Sequence, residues 1–261
     1  MKVKIIVAAH KKYWMPQDSC YLPVHVGKQG KEPIGYQGDD EGENISEKNP
    51  WYCELTGMYW MWKNVQADYY GLVHYRRYFT VVPPIKRLGK QPSELVLTER
   101  QVKRLVKKYD VILPKKRNYV VETIGSHYAH THYKEHLEIT KNIIKELCPA
   151  YEEAFEWVMS QRKGHMFNMF IMKKELFYEY CEWLFPILEN LEQQVDITEY
   201  DAFQARYVGR VSEILLNVWI HQKEIAYHEI PVISMEKIKW GKKLVSFFKA
   251  KYLNEKYNGS F

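Results

Sequence analysis

Apolar and polar positions along the chain alternate between two periods. "VKIIVAAH" (residues 3 to 10) is a short, apolar, β-rich run, the pattern of a parallel strand buried on both faces. "YLPVHVG" (Tyr21 to Gly27) reads as a second strand. Residues 28 to 48 are rich in Gly and acid and read as a long irregular loop, a kind that in compact domains tends to serve function. Asn49 and Pro50 predict a helix start, Asn as the cap and Pro at the first helical position. Trp51, Leu55, Met58, Tyr59 and Trp62 then recur at helical spacing, carrying the helix to about Asn64.

A buried strand is predicted at Tyr69 to His74, followed by Arg76 and Arg77. Pro83-Pro84 opens a connection to a helix with a Thr98 cap and Glu99 in its first turn. "YDVILPKK" reads as a strand ending at Pro114, and a histidine-rich stretch, "SHYAHTHYKEH", leads into helical pattern to about Met159. "HMFNMFIM" (His165 to Met172) reads as a strand and "KKELFYEYCEWLFPILENLEQ" as a helix. An acidic turn, the helix "VSEILLNVWI" and a short strand "IAYHEIPVI" precede a basic tail. Strands alternating with helices predict an α/β sheet with crossover helices, in one domain.

Composition narrows the classes. The 261 residues are 46% hydrophobic and 27% charged, the proportions of a folded chain with a sizeable core. The 21 Tyr and 8 Trp suit either a dense core or a surface that stacks sugars and bases. A net charge of +6 favours anionic partners, but no basic block is long enough for a nucleic-acid arm, so no nucleic-acid partner is expected. Cys20, Cys53, Cys148 and Cys181 are scattered, which predicts reduced thiols in a cytoplasmic protein. The opening "MKVKIIVAAHKK" is too short in its apolar part for a signal peptide or a span.

In open α/β sheets ligands bind beyond the carboxyl ends of the strands. His10, Lys11 and Lys12 leave the first predicted strand, His74, Arg76 and Arg77 the third, and Lys115, Lys116 and Arg117 the fourth. Three basic strand ends on one rim would suit phosphate, whose oxygens guanidinium forks pair bidentately. The alternative is that the clusters only solvate loops. No metal is expected: "GDDEGE" offers adjacent carboxylates in a loop, as a metal site or as a solvated or ribose-contacting segment, and "HYAHTHYKEH" has zinc-like residue types at loose spacing. Serine hydrolase, P-loop and dinucleotide fingerprints are missing. Carboxylates remain as bases. Glu213, in an apolar helical run, is the first candidate or else a buried ion-pair partner of Arg206 or Arg210. Asp201 is the second, or else an N-cap.

Four stretches carry a resemblance: "NISEKNPWYCELTGMYWMWKN", "YYGLVHYRRYF", "HMFNMFIMKKELFYEYCEWLFPIL" and "RVSEILLNVWI". Together they resemble a bacterial family of capsular and exopolysaccharide biosynthesis proteins, long catalogued as a domain of unknown function. Its members are described as glycosyltransferases, several as galactofuranosyltransferases. The likeness runs from Val3 to about Trp240. It implies a GT-A-like (Rossmann-like) α/β domain over residues 1 to 240, with a mixed central sheet flanked by helices. A UDP-sugar donor, UDP-galactofuranose first, and a saccharide or lipid-linked saccharide acceptor are implied with it.

By position the family's "NIS-KN" loop falls on Asn44, Ile45, Ser46, Lys48 and Asn49, its "HYRR" element on His74 to Arg77, and its "MFNMF" strand on Met166 to Phe170. Where the family's late helix more often reads Glu-Arg-Leu, this chain has Glu213-Ile214-Leu215. The expectation is an inverting, metal-independent transferase. Arg76 and Arg77 would neutralise the departing diphosphate with His74 beside them, Asn168 and His165 would meet the acceptor, and Glu213 or Asp201 would take its proton. Residues 241 to 261 mix aromatics with lysines, as a basic amphipathic helix that lies on the inner face of the plasma membrane or packs on the domain. Two other classes stay open: a non-catalytic carbohydrate- or nucleotide-binding subunit of an assembly complex, and an RNA-binding protein.

Overall fold

The run of β-branched and small apolar residues at the N-terminus forms β1 (Val3–Ala9), in which every residue but Lys4 is buried. In the computed structural model, which describes residues 1–236, there follow β2 (Tyr21–His25), β3 (Gln37–Gly38), α1 (Asn49–Tyr52), α2 (Leu55–Asn64), β4 (Tyr69–His74) and β5 (Arg77–Phe79). Next come α3 (Glu99–Val106), β6 (Val111–Pro114), β7 (Arg117–Asn118), α4 (Ile124–Thr131), α5 (Glu135–Leu147) and α6 (Glu152–Ser160). The last are β8 (Lys163–Gly164), β9 (Phe170–Lys173), α7 (Lys174–Gln194), α8 (Tyr207–Gln222), β10 (His228–Ile230) and β11 (Val232–Ser234).

The chain forms two compact units. The first comprises residues 1–115, 166–182 and 225–236, the second, within the described residues, 116–165 and 183–224. The first holds a mixed sheet in the order β10-β6-β9-β4-β1-β2-β3, with β5 bridging β4 and β11. β1 runs parallel to both β2 and β4, and β9 runs antiparallel to β4 and to β6. β1, β4 and β6 therefore point the same way, and their carboxyl ends share one edge of the sheet. A continuous apolar core of Val3, Ile5, Val7, Tyr78, Phe79, Leu97, Val102, Ile112 and Ile171 packs on the sheet. α3 begins as its sequence predicts: the Thr98 hydroxyl accepts from the Gln101 amide and the Gln101 side chain accepts from the Thr98 amide.

In the second unit β7 and β8 form a two-stranded antiparallel ladder. Here α6 packs on α4, α5 and α8, burying Ile143, Ile144, Phe155, Val158, Val211, Leu215 and Trp219. Among the described residues no helix is long and apolar enough to cross a membrane.

Five local expectations are corrected. The helix predicted from Asn49 to Asn64 breaks at Cys53, whose backbone (φ 55°, ψ −129°) cannot continue a right-handed helix. Asn49 is the first helical residue rather than its cap, with Lys48 at the cap position and Pro50 following. The strand predicted from His165 begins only at Phe170, because Phe167 (φ 77°) and Asn168 (φ 51°) are left-handed and interrupt an extended ladder. The histidine-rich stretch lies largely on α4 and at the start of α5, and "IAYHEIPVI" is split by Pro231 into β10 and β11. The basic tail at 241 to 261 lies outside the described residues.

Candidate functional site

The exit of β4 is the chemically densest part of the first unit. His74, its last residue, is neutral at pH 7: burial lowers its pKa, Arg77 and Arg76 push the same way, and Glu54 and the Phe167 carbonyl oppose them. Its Nε2–H donates to the Phe167 carbonyl at 2.6 Å, since a carbonyl can only accept. Nδ1 consequently carries the lone pair. The Oε1 of Glu54 stands 4.0 Å from that Nε2, which with a neutral ring is no salt bridge. Glu54 instead accepts from Asn168 Nδ2 at 2.8 Å, in a buried bond.

Backbone strain gathers at the same place. Cys53 precedes Glu54, and Phe167 and Asn168 supply the other partners; these are three of the five non-glycine residues with positive φ among the described residues. Such conformations cost roughly 1–3 kcal/mol each and persist where surrounding structure enforces them. Asn49 is part of that enforcement: its Nδ2 donates to the Cys53 carbonyl at 2.7 Å and to Thr56 Oγ1 at 3.2 Å. Gly27 (φ +64°) permits it, because a Cβ there would lie 2.4 Å from Asn49 Cγ.

Of the basic side chains predicted to share a rim, three converge from the ends of β1 and β4 on one aromatic ring. Tyr75 is buried, with the His10 ring edge-on at 5.2 Å, Lys11 Nζ 5.5 Å from its centroid and Arg76 Cζ at 5.3 Å. Arg77 lies over the Phe167 ring at 4.5 Å, and Arg76 also faces Glu236 at 3.6 Å. His10, Lys11 and Lys12 are exposed, and the loop that carries them is clamped by Tyr36, whose hydroxyl accepts from the Tyr13 amide and donates to the Tyr13 carbonyl. Lys115, Lys116 and Arg117 are exposed; Lys115 belongs to the first unit, and Arg117, in β7, covers Tyr119.

The acidic loop is braced internally. Asp39, fully buried, accepts from the Gly27 amide at 2.8 Å, from the Lys28 amide at 3.0 Å and from the Ser46 hydroxyl. Ser46 also accepts from the Gln29 amide, while Asn44 accepts from the Ser46 amide and donates to the Gly42 carbonyl. Asp40 pairs with Lys28 at 3.4 Å. Ser46 and Asn44 thus shape the loop rather than merely line it. Among the described residues no group of three or more His, Cys, Asp or Glu side chains is arranged to hold a metal ion.

The remaining expected residues lie in the second unit, except Asn168. His165 is buried, its amide donating to Asn217 Oδ1 and its carbonyl accepting from Asn217 Nδ2. Asn168 is only 2% exposed, so its side chain faces Glu54 rather than solvent. Asp201 is exposed, and its carboxylate accepts from the Phe203 and Gln204 amides, the capping part that competed with a catalytic one. Glu213 is half-buried on α8, near enough to Tyr119 and Tyr128 to raise their pKa values alongside burial. Each histidine of the histidine-rich stretch is engaged: His127 and His130 share Glu122, His132 meets Gln204 and Arg210, and His136 lies between the Tyr128 and Tyr200 hydroxyls.

The residue sequence reasoning missed is Glu54. Its signal was visible: one carboxylate inside the apolar run "WYCELTGMYWMW" needs a polar partner if buried.

The geometry has a relative. The solved apo structure of the bifunctional glycosyltransferase WbbM is similar, with a TM-score of 0.82 and 31% identity over 91% of this chain. This chain spans 46% of the length of that one, less than half. No curated protein matches the chain. The fold is mixed α/β and GT-A-like, as expected. A profile described as a domain of unknown function, DUF4422, matches residues 4–224, and the chain belongs to that family.

Proposed function

We propose that the protein is a glycosyltransferase that moves a sugar from a nucleotide donor to a saccharide acceptor. One observation carries this most: His10, Lys11 and Arg76, from two adjacent parallel strands, meet around Tyr75 at the sheet edge where open α/β sheets bind ligands. The likeness to a solved glycosyltransferase supports the same reading. The donor is a UDP-sugar, with UDP-galactofuranose the first candidate. The acceptor is a growing cell-surface polysaccharide, lipid-linked in one version, which would place the protein in the cytoplasm at the membrane's inner face.

In this mechanism the acceptor oxygen attacks the anomeric carbon as the bond to the diphosphate breaks, with inversion. Arg76 and Arg77 hold the charge that develops on the departing diphosphate, the step a fixed, pre-oriented cation serves best. His74 stays neutral and anchors the Phe167–Asn168 turn, over whose Phe167 ring Arg77 lies. Glu213 keeps the role of base that its sequence context suggests. Asp201, whose carboxylate is engaged in capping, is the second choice.

The test is a panel of sugar nucleotides incubated with the full chain, with and without EDTA. Binding to the native state should raise the melting temperature, and sugar should be released or transferred in either condition. If no sugar nucleotide raises the melting temperature and none is turned over, the proposal fails. Turnover only without EDTA would remove the metal-independent version.

A further inference from the structure

The segment between β5 and α3 presents apolar side chains to solvent in an ordered setting. Ile85 is 86% exposed and Leu88 93% exposed, with Val81 exposed beside them. This segment is held by its own hydrogen bonds. The Lys86 amide donates to the Pro83 carbonyl, the Lys90 amide to the Arg87 carbonyl, and Arg87 Nε to the Val82 carbonyl at 2.8 Å.

Residues 87 to 90 form a type II turn, with Leu88 (φ −59°, ψ 130°) and Gly89 (φ 77°) at its centre. A Cβ on Gly89 would meet nothing within 4 Å, so it is the left-handed backbone, not space, that calls for glycine here. The turn thus holds a leucine at its tip, exposed among the described residues. Between Val81 and Ser93 the charged residues are Lys86, Arg87 and Lys90, all basic, and the first acid is Glu94.

We infer that this turn is a contact point for an anionic lipid surface, Ile85 and Leu88 entering the interface while Lys86 and Lys90 meet the head groups. Apolar tips flanked by lysine are what such a surface selects, because burial of the side chains and attraction to the lipid charge add. A protein partner would ask for acid on its own face; a bilayer of anionic lipid supplies that charge over its whole area. The inference concerns residues 81–90 alone and holds whether or not the chain transfers sugar, so the two stand or fall separately.

The test uses the full chain and vesicles of phosphatidylcholine with roughly a third phosphatidylglycerol. Ile85→Ser/Leu88→Ser should weaken vesicle binding at least about tenfold, the effect of withdrawing even one such side chain from the interface. Lys86→Glu/Lys90→Glu should weaken binding to these vesicles and leave weak binding to pure phosphatidylcholine unchanged. Both pairs are exposed, so the melting temperature should not move. A site-specific reading is Leu88→Trp, whose added fluorescence brominated lipid should quench. Unchanged vesicle binding by the serine variant, or no added quenching, overturns the inference. So does loss of self-association in that variant, by sedimentation velocity, with vesicle binding intact: the turn would then meet a second copy of the chain.

Discussion

The ring of His74 donates from Nε2 to the carbonyl of Phe167, 93 residues further along the chain, at 2.6 Å. That bond joins the end of β4 to a left-handed turn whose next residue, Asn168, holds Glu54. Three segments remote in sequence are tied together, with Arg77 over the Phe167 ring. His74→Ala should therefore act on the turn. The Phe167 carbonyl loses its donor, and stability to urea should fall by about 1–3 kcal/mol.

Glu54 and Asn168 form one buried polar pair. Glu54→Ala removes a charged acceptor from Asn168 Nδ2 and should cost about 1.5–3 kcal/mol. Glu54→Gln keeps an acceptor and should cost less. Equal losses for the two substitutions in urea titrations would show that the pair does not hold the turn.

Cys53 sits at φ 55° and ψ −129°, a conformation glycine adopts freely. Cys53→Gly should leave the melting temperature unchanged or raise it, releasing up to about 1 kcal/mol of strain. Cys53→Val should lower it, because a β-branched side chain tolerates positive φ worst. Thermal denaturation of the two variants checks the sign.

Arg76→Ala and Arg77→Ala should each lower kcat/KM with a sugar-nucleotide donor by about 30- to 1000-fold, equivalent to about 2–4 kcal/mol of transition-state stabilisation. Arg76 is partly exposed and its pairing with Glu236 is a surface one, so its loss should barely alter stability. Unchanged kcat/KM in both variants would remove the arginines from the mechanism.

His132 has its pKa lowered to about 3, first by burial and then by Arg210. The folded state resists protonating it, while the unfolded chain takes up that proton near pH 6.5. The stability it contributes is complete above about pH 6.5 and is lost as pH falls toward 3. His132→Gln should flatten the pH dependence of unfolding free energy across that window. An unchanged slope would show that His132 titrates normally.

Local pattern determined much of this protein. The apolar run of β1, the buried core of β4 ending in His-Tyr-Arg-Arg, the Thr98 capping box and the helix of α7 all follow from residues near one another, where periodicity and capping chemistry act directly. The direction of β1 and β4 then brought His10, Lys11 and Arg76 together as their strand-end positions suggested.

Tertiary structure alone decided the rest. The apolar spacing across Trp51 to Trp62 is helical on both sides of Cys53, so the break there left no mark in the pattern; at the break Asn49 binds the Cys53 carbonyl and Asn168 binds Glu54. "MFNMF" reads as strand, yet its backbone turns left-handed to meet His74 and Glu54, partners 93 and 114 residues away. A hydrophobic pattern reports which face of an element is buried. The pairing of one buried polar group with another is set by where the chain returns in space, and that is a property of the folded molecule.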